Sequence, residues 1–250
     1  MKTQKKIKKL LFPVLIIFLF LTIVCSLYIN DYYRADLASI SVFSSETQIQ
    51  TTEQGNHFFF YPQEEYHTGF IFYPGGKVEH TAYIPLMEEL AQRGILCVLI
   101  EMPFHLAVFD PNAAEGIPAQ FPEIDSWYLG GHSLGGAMAS SYLSQHSTAF
   151  QGLILLGAYS TADLSESGLA VLSVYGSEDL VLNRDAYEKN RSNLPKDFTE
   201  TVLEGGCHAG FGMYGPQEGD GSPALSALEQ IIQTADLITD FIRQQPLKLP

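Results

Sequence analysis

Short apolar runs, most of them ending at glycine or proline, alternate along the chain with longer amphipathic stretches. The runs lack the period-two alternation of a half-exposed strand, which is typical of strands buried on both faces of a sheet. These predicted strands span residues 57–61, 69–73, 95–102, 127–130, 153–156, 171–175 and 199–203. The predicted helices, in which apolar residues recur at helical spacing, span residues 82–93, 135–145, 184–191 and 224–243. Such alternation predicts an α/β fold with a mostly parallel sheet covered by helices on both faces.

One connection in this pattern is long and carries little predicted structure. Residues 103–126 include four prolines, which leave room for at most a short helix over residues 106–110. We interpret the segment as a surface connection, of a length that is uncommon and often functional.

The first thirty residues differ from the rest of the chain. Residues 10–29 form a run of twenty residues without a charge, about the length that crosses the hydrocarbon core of a bilayer. Five lysines precede it within residues 1–9, a segment expected to stay in the cytoplasm. We expect a transmembrane helix; the alternative is a signal peptide cleaved near Ser26, although the apolar run is longer than the usual signal-peptide core. The expected location is the cell membrane, single-pass, with the folded domain outside the cytoplasm, or secretion after cleavage.

Beyond this run, residues 30–55 are predicted to form a polar stalk, followed by one folded domain over residues 56–250. The domain is long enough for a substantial core and too short for two domains. All 28 acidic residues but only nine of the 14 basic residues lie beyond position 10, which gives this part a formal charge of −19. Such a surface repels polyphosphate backbones, so no nucleic-acid partner is expected.

A glycine-rich turn, Gly131-His132-Ser133-Leu134-Gly135, lies between a predicted strand and a predicted helix. This is the pattern of a nucleophile elbow, a strained turn that raises a serine at the carboxyl edge of the sheet and needs glycine on both sides. The alternative interpretation is a glycine-rich turn with an uninvolved serine. The sequence around this turn lacks the GxGxxG and phosphate-loop spacings of nucleotide-binding turns.

A serine hydroxyl needs a base to accept its proton and a carboxylate to orient that base. Asp179 and His208 each follow a predicted strand downstream of Ser133, in the order Ser, Asp, His that accompanies this elbow. For Asp179 the alternatives are a helix N-cap role or replacement by Glu178 as the acid, and for His208 an ordinary loop histidine. The glycine-rich loop over residues 211–222 is expected either to border the pocket or to be a solvated loop.

Attack on a carbonyl creates an oxyanion that needs two positioned N–H donors. The amide of Leu134, directly after the serine, is the expected first donor. The second is expected from Gly76, with Lys77 as the reserve, because the Gly-Gly turn after residues 69–73 lets backbone amides face a cavity. A simple turn is the alternative. No cofactor or metal is expected, since the sequence has no CxxC or HExxH motif and its seven histidines are scattered.

These motifs together resemble the α/β-hydrolase fold superfamily, in particular its small cap-poor members related to dienelactone-hydrolase-like and esterase-like enzymes. The resemblance covers residues 57–245 and rests on the two turns described above, on Gly176-Ser177-Glu178-Asp179 and on Gly206-Cys207-His208. It implies a central sheet of about eight strands in the order 1-2-4-3-5-6-7-8 and hydrolysis through an acyl-enzyme. Dienelactone hydrolases themselves use a cysteine nucleophile, so the serine shifts the expectation toward ordinary esters or thioesters. Only residues 160–169 stand where related enzymes insert a cap, so an open site is expected.

The sequence therefore predicts a serine hydrolase that cleaves a carboxylic ester or thioester with a Ser133-Asp179-His208 triad. Its expected partners are a small-molecule or lipid-like acyl ester and, through the N-terminal helix, a membrane. The alternatives are an acyltransferase that uses the same triad and a non-catalytic binding domain displayed at the cell surface. On the implied strand order, Cys97 and Cys207 lie on opposite sides of the sheet centre and are not expected to form a disulfide.

Overall fold

The computed structural model describes the backbone of residues 2–246 and the side chains of residues 14–246. Within this part the chain forms two compact units, which divide between Tyr32 and Tyr33. The first unit consists mainly of helix α1 (Lys2–Asn30). The second is an α/β domain built on one central sheet.

Helix α1 exposes mainly apolar side chains over residues 14–28. Among the described residues, no helix is both long and apolar enough to span a membrane. The predicted transmembrane segment, residues 10–29, starts with four residues, 10–13, whose side chains lie outside the described part of the chain. The side chains of the basic segment 1–9 also lie outside it.

Eight strands form one sheet in the order β1-β2-β4-β3-β5-β6-β7-β8. In chain order they are β1 (Gln50–Gln54), β2 (His57–Tyr61), β3 (Thr68–Tyr73), β4 (Ile95–Ile100), β5 (Ser126–His132), β6 (Gly152–Leu156), β7 (Ala170–Gly176) and β8 (Thr199–Leu203). Strand β2 runs antiparallel to both of its neighbours, and all the other neighbouring pairs are parallel. The number and order of the strands confirm the prediction, and each of the seven predicted strands coincides with one of β2 to β8.

Over the described residues 33–246, five further helices belong to the domain. They are α2 (Leu37–Thr47), α3 (Ile84–Gln92), α4 (Leu134–His146), α5 (Arg184–Asn190) and α6 (Ala227–Gln244). Along β3, Phe70 and Phe72 pack in one core cluster with residues of α3 and α6, whereas Ile71 packs in a second cluster with residues of α4. All three side chains are fully buried. The continuous apolar sequence of this strand therefore reflects two buried faces, as the pattern predicted.

The long connection between β4 and β5 contains three 3-10 turns, at Pro103–His105, Ala107–Phe109 and Pro118–Gln120. The short helix expected over residues 106–110 is the second of these turns. The side chain of Phe109 is exposed, whereas those of Ala114 and Ile117 are fully buried in the core. The connection runs over the surface, as predicted, and its buried side chains pack into the core.

The predicted polar stalk over residues 30–55 is wrong for most of its length, because α2 and β1 lie within it and belong to the domain. Strand β1 pairs antiparallel with β2, from Gln50 opposite Tyr61 to Gln54 opposite His57. All five side chains of β1 are exposed. The strand therefore carries no apolar signal in the sequence and is held by main-chain hydrogen bonds at the edge of the sheet.

Helix α2 attaches to α3 largely through polar contacts. The hydroxyls of Ser44 and Thr47 donate to one carboxylate oxygen of Glu88, over 2.9 Å and 3.1 Å. Ile40 is the one apolar side chain of this helix that is buried. Because one buried apolar residue produces no helical periodicity, the sequence pattern did not reveal that the domain begins near residue 33.

Residues 33–36, which we call the N-terminal strap, join two loops of the domain. Tyr33 donates its backbone N–H to the carbonyl of Lys77 over 2.7 Å, and its own carbonyl accepts from the N–H of Glu79 over 2.9 Å. The last strap residue donates its backbone N–H to the carbonyl of Met213 over 2.8 Å. The strap therefore holds the loop after β3 and the loop beyond β8 in one arrangement.

We expect loss of the strap to destabilise the domain. Three backbone hydrogen bonds at about 1 kcal/mol each predict that a fragment starting at residue 37 unfolds with a free energy lower by about 2–3 kcal/mol than one starting at residue 31. Urea unfolding followed by circular dichroism measures the difference. Coincident unfolding curves for the two fragments would show that the strap contributes nothing.

Candidate active site

Ser133 stands at the sharp turn between β5 and α4, with a backbone conformation of φ 50° and ψ −119°. Positive φ is unusual for a residue with a side chain, and such strain persists only where the surroundings impose it. Both flanking glycines are required by space. A Cβ on Gly135 would lie 2.1 Å from the carbonyl oxygen of Tyr73, and one on Gly131 would lie 2.6 Å from the same oxygen. The strand-turn-helix setting expected of the motif is present.

A cavity of about 410 Å³ opens beside this turn. Ser133 and His208 both line it, although they are 75 positions apart in the sequence. Both follow the carboxyl ends of parallel strands, β5 and β8, which is where ligands of open α/β sheets bind. The structure therefore brings the predicted nucleophile and the predicted base to one cavity.

Asp179 and His208 form a buried pair. Nδ1 of His208 lies 2.9 Å from Oδ2 of Asp179, and both side chains are almost fully shielded from solvent. The second oxygen of Asp179 accepts the backbone N–H groups of Val181 over 3.0 Å and Leu182 over 2.8 Å. Nε2 of His208 has no hydrogen-bond partner among the described residues. The imidazole is thus fixed at one nitrogen and free at the other.

The structure decides between the alternatives for the acid. Glu178 is exposed, and its carboxylate accepts from the hydroxyl of Ser177 over 3.2 Å. The N-cap alternative for Asp179 is wrong, because α5 begins at Arg184 and its N-cap is Asn183. Asp179 is therefore the carboxylate that reaches the predicted base.

The two predicted oxyanion donors belong to residues that contact each other. A Cβ on Gly76 would lie 3.0 Å from Cδ2 and 3.3 Å from Cβ of Leu134. Leu134 lines the 410 Å³ cavity, whereas Gly76 lies behind Leu134 and is not among the lining residues. The reserve donor, Lys77, is wrong because its N–H donates to the carbonyl of His105 over 2.8 Å. The N–H of Gly75 is occupied by the hydroxyl of Tyr83. The amide of Gly76 stays available between them, and that of Leu134, at the first turn of α4, has no partner within its helix.

Two residues that the sequence analysis did not single out support the pair. Gly157, at the end of β6, has φ 53°, and a Cβ there would lie 3.0 Å from Nδ1 of His208. Asp220 accepts the backbone N–H of Ala209 over 2.8 Å and, less closely, that of Leu180 over 3.4 Å. Burial tends to raise the pKa of Asp220, but hydrogen bonds from the backbone of Ala209 and its neighbours lower it below its usual value. Its carboxylate therefore connects the residue after the acid with the residue after the base.

This contact also explains the loop over residues 211–222. None of its residues lines the 410 Å³ cavity in the part of the chain that the structure describes. Instead Asp220 fastens the loop behind His208, where it encloses a separate cavity of about 270 Å³ together with Cys207. The expectation that the loop borders the pocket is therefore wrong. The loop instead contacts the residue that follows the predicted base, through Asp220.

Neither buried cysteine is suited to act as a nucleophile. Burial raises the pKa of the Cys97 thiol well above its usual range, and burial first, then the charge of Asp220, raises that of Cys207 to about 11. Both are free thiols, protonated at neutral pH and therefore inert. Within the described chain, no group of histidine, cysteine and carboxylate side chains is arranged to hold a metal ion.

Comparison with known proteins agrees with this fold. The model of the alpha/beta hydrolase family matches residues 69–232, which contain Ser133, Asp179 and His208. The chain belongs to the alpha/beta hydrolase family. A search of curated proteins finds no matching relative.

Solved structures share the architecture at low sequence identity. A soluble variant of monoglyceride lipase from Saccharomyces cerevisiae is 12% identical, with a TM-score of 0.55, over 77% of this chain and 94% of that one. A bacterial membrane phospholipase A is 12% identical, with a TM-score of 0.57, over 94% of this chain and 98% of that one. Est1E from Butyrivibrio proteoclasticus is 13% identical, with a TM-score of 0.56, over 78% and 99%. At these identities the likeness concerns the fold.

Proposed function

We propose that this chain is a serine hydrolase that cleaves a carboxylic ester or thioester through an acyl-enzyme. Ser133 is the nucleophile, His208 the general base and then acid, and Asp179 the residue that orients His208. The observation that carries the proposal is the state of His208: Asp179 holds Nδ1 at 2.9 Å, while Nε2 is unpartnered among the described residues and His208 shares a cavity with Ser133.

The proposed reaction follows from that arrangement. Nε2 of His208 takes the hydroxyl proton as Oγ of Ser133 attacks the acyl carbonyl, and the resulting imidazolium is stabilised by Asp179. The amides of Leu134 and Gly76 donate to the oxyanion of the tetrahedral intermediate. Nε2 then returns the proton to the leaving alcohol or thiol as the bond to it breaks. Water, deprotonated by His208, attacks the acyl-enzyme and releases the acid and the free serine.

The cavity supports an apolar acyl group as the part of the substrate that is bound. Apolar side chains form much of its wall, namely Ala137, Met138, Ala158, Val181 and Leu182. No helix or strand lies over residues 157–169, between β6 and β7, where a cap would stand. An open, largely apolar cavity of about 410 Å³ suits a small-molecule or lipid-like acyl ester.

We also propose that residues 10–29 anchor the protein in the cell membrane, with the catalytic domain outside the cytoplasm. The exposed apolar side chains of α1 and the lysines before residue 10 support this location. Full-length protein is then expected in the membrane fraction, released by detergent and retained through an alkaline carbonate wash. Recovery of the intact chain in the carbonate supernatant would remove the anchor proposal.

A fluorophosphonate probe tests the enzymatic proposal directly, since it phosphonylates only an activated serine. We expect full-length protein to be labelled and Ser133→Ala to remain unlabelled at the same folded concentration. Mass analysis of products formed from p-nitrophenyl esters with and without an added alcohol separates hydrolysis from acyl transfer. Absence of labelling and of ester cleavage in well-folded wild-type protein would favour the non-catalytic alternative.

A further inference from the structure

Tyr83 lies between the two loops that carry the proposed oxyanion donors and the nucleophile. Its side chain is fully buried, in the 3-10 turn that precedes α3. Its hydroxyl accepts the backbone N–H of Gly75 over 3.0 Å and lies 2.8 Å from Nδ1 of His132. Gly75 directly precedes the proposed donor Gly76, and His132 directly precedes Ser133. One hydroxyl thus joins both halves of the site.

The Gly75 N–H must donate to the Tyr83 oxygen. The hydroxyl hydrogen then has Nδ1 of His132 as its acceptor among the described residues, so we assign the second bond as Tyr83 donating to His132. This assignment places the proton of a neutral His132 on Nε2. Burial first, and then the neighbouring His208, lowers the pKa of His132 well below its usual value, which keeps the ring neutral.

The atoms around the Tyr83 hydroxyl are tightly packed. A Cβ on Gly75 would lie 2.6 Å from Nδ1 of His132 and 2.8 Å from the Tyr83 hydroxyl. The imidazole of His132 also packs against that of His208, with ring centroids 4.4 Å apart. A shift of the His132 ring would therefore move contacts of both the loop after β3 and the proposed base.

We propose that Tyr83 is a positioning residue of the oxyanion hole, whose hydroxyl fixes the Pro74–Gly75 peptide, next to the peptide that carries the Gly76 N–H, against the nucleophile elbow. The inference rests on the proposed hydrolase function. Tyr83 is not among the residues that line the 410 Å³ cavity, and its hydroxyl binds Gly75 and His132, the neighbours of the proposed donor and nucleophile. It acts by holding the N–H of Gly76 beside Leu134, at the place where negative charge develops.

This role predicts which kinetic constant changes. The oxyanion is present in the tetrahedral intermediate and in the transition states that flank it but not in the bound substrate, so a displaced donor lowers kcat and leaves KM almost unchanged. Complete removal of an oxyanion donor costs about 10²–10³-fold in kcat. Tyr83→Phe keeps the ring and loses only the tether, so we expect kcat to fall by about 10–100-fold.

Tyr187→Phe is the matched control. Tyr187 is also buried, and its hydroxyl joins Ser173 on β7 to Glu200 on β8. None of these three residues lines the 410 Å³ cavity. Its loss is expected to lower the thermal midpoint without changing kcat. Both variants and wild type are compared as full-length protein on p-nitrophenyl butyrate, together with inhibition by an aryl boronic acid, which mimics the tetrahedral intermediate. Tyr83→Phe should weaken boronate inhibition in parallel with kcat.

A second pair of variants covers the case in which Tyr83→Phe does not fold. The side-chain oxygen of His132→Asn can take the place of Nδ1 as acceptor for the Tyr83 hydroxyl, whereas His132→Leu offers no acceptor. The inference expects His132→Asn to keep a kcat at least tenfold above that of His132→Leu. It is overturned if Tyr83→Phe keeps the wild-type kcat, or if the two His132 variants are equal, while hydrolysis by wild type still depends on Ser133. Loss of that dependence in wild type defeats the proposed function instead.

Discussion

Replacing Ser133 by alanine is expected to lower kcat by about 10⁵–10⁶-fold, and replacing His208 as well is expected to add almost nothing to that loss. The serine oxygen and Nε2 of His208 act in one step, so removing either removes the whole pathway. The residual rate comes from the two amide donors, which still bind the carbonyl and stabilise charge when water attacks it. The single and double variants are measured by kcat on p-nitrophenyl butyrate.

Ser144→Ala serves as the matched control, since Ser144 is an exposed serine near the end of α4 whose hydroxyl donates to the carbonyl of Ser141 over 2.7 Å. It should retain wild-type kinetics. Additive losses, in which the double variant falls below Ser133→Ala by the same factor by which the single His208 variant falls below wild type, would mean that the two residues act in separate steps.

Asp179→Asn is expected to lower kcat by about 10⁴-fold while the protein stays folded. The reason lies in the two roles of this carboxylate. One oxygen accepts from the backbone N–H groups of Val181 and Leu182, and the amide oxygen of asparagine must keep that place. The amide NH₂ then faces Nδ1 of His208, which can only accept from it. The proton moves to Nε2, and the ring can no longer take the proton of Ser133.

The neighbouring carboxylate supplies the comparison. Glu178→Gln changes an exposed residue by the same chemistry, one position earlier, and is expected to leave kcat within about twofold, because surface substitutions away from such contacts have small effects. Circular dichroism and thermal melting confirm folding of both variants. If Glu178→Gln reduced kcat as much as Asp179→Asn, the assignment of the acid would have to be exchanged.

Much of this fold was visible in the sequence because its central strands are buried on both faces. Strands such as β3 must be apolar throughout, and helix α6 must present one apolar stripe, so both leave strong periodic signals. Strand β1 leaves none, since all its side chains are exposed and main-chain groups pair it with β2, with one added hydrogen bond between the hydroxyls of Thr52 and Tyr61. Helix α2 also leaves no periodic signal in the sequence, because polar contacts among Ser44, Thr47 and Glu88 attach it to the domain.

The candidate site divides in the same way. Ser133, Asp179 and His208 follow strands in a fixed order, and that order can be seen in one sequence. Tyr83 and Asp220 could not be identified from the sequence. Tyr83 matters because it contacts a residue that is distant in the chain, and Asp220 matters because it binds backbone atoms. The Tyr83 hydroxyl meets a ring 49 positions away, and Asp220 binds backbone N–H groups that carry no sequence identity.

The N-terminal strap has a consequence for proteolysis of the chain between helix α1 and the domain. A protease that cuts before Tyr33 leaves the strap in place, and a cut near Ser26 is of that kind. A cut after residue 36 separates the strap from the domain and removes the chain connection that holds these hydrogen bonds between the two loops. On the proposed membrane location, a form released by a cut before Tyr33 is therefore expected to keep the site of the anchored form, whereas a form cut after residue 36 is expected to be less stable.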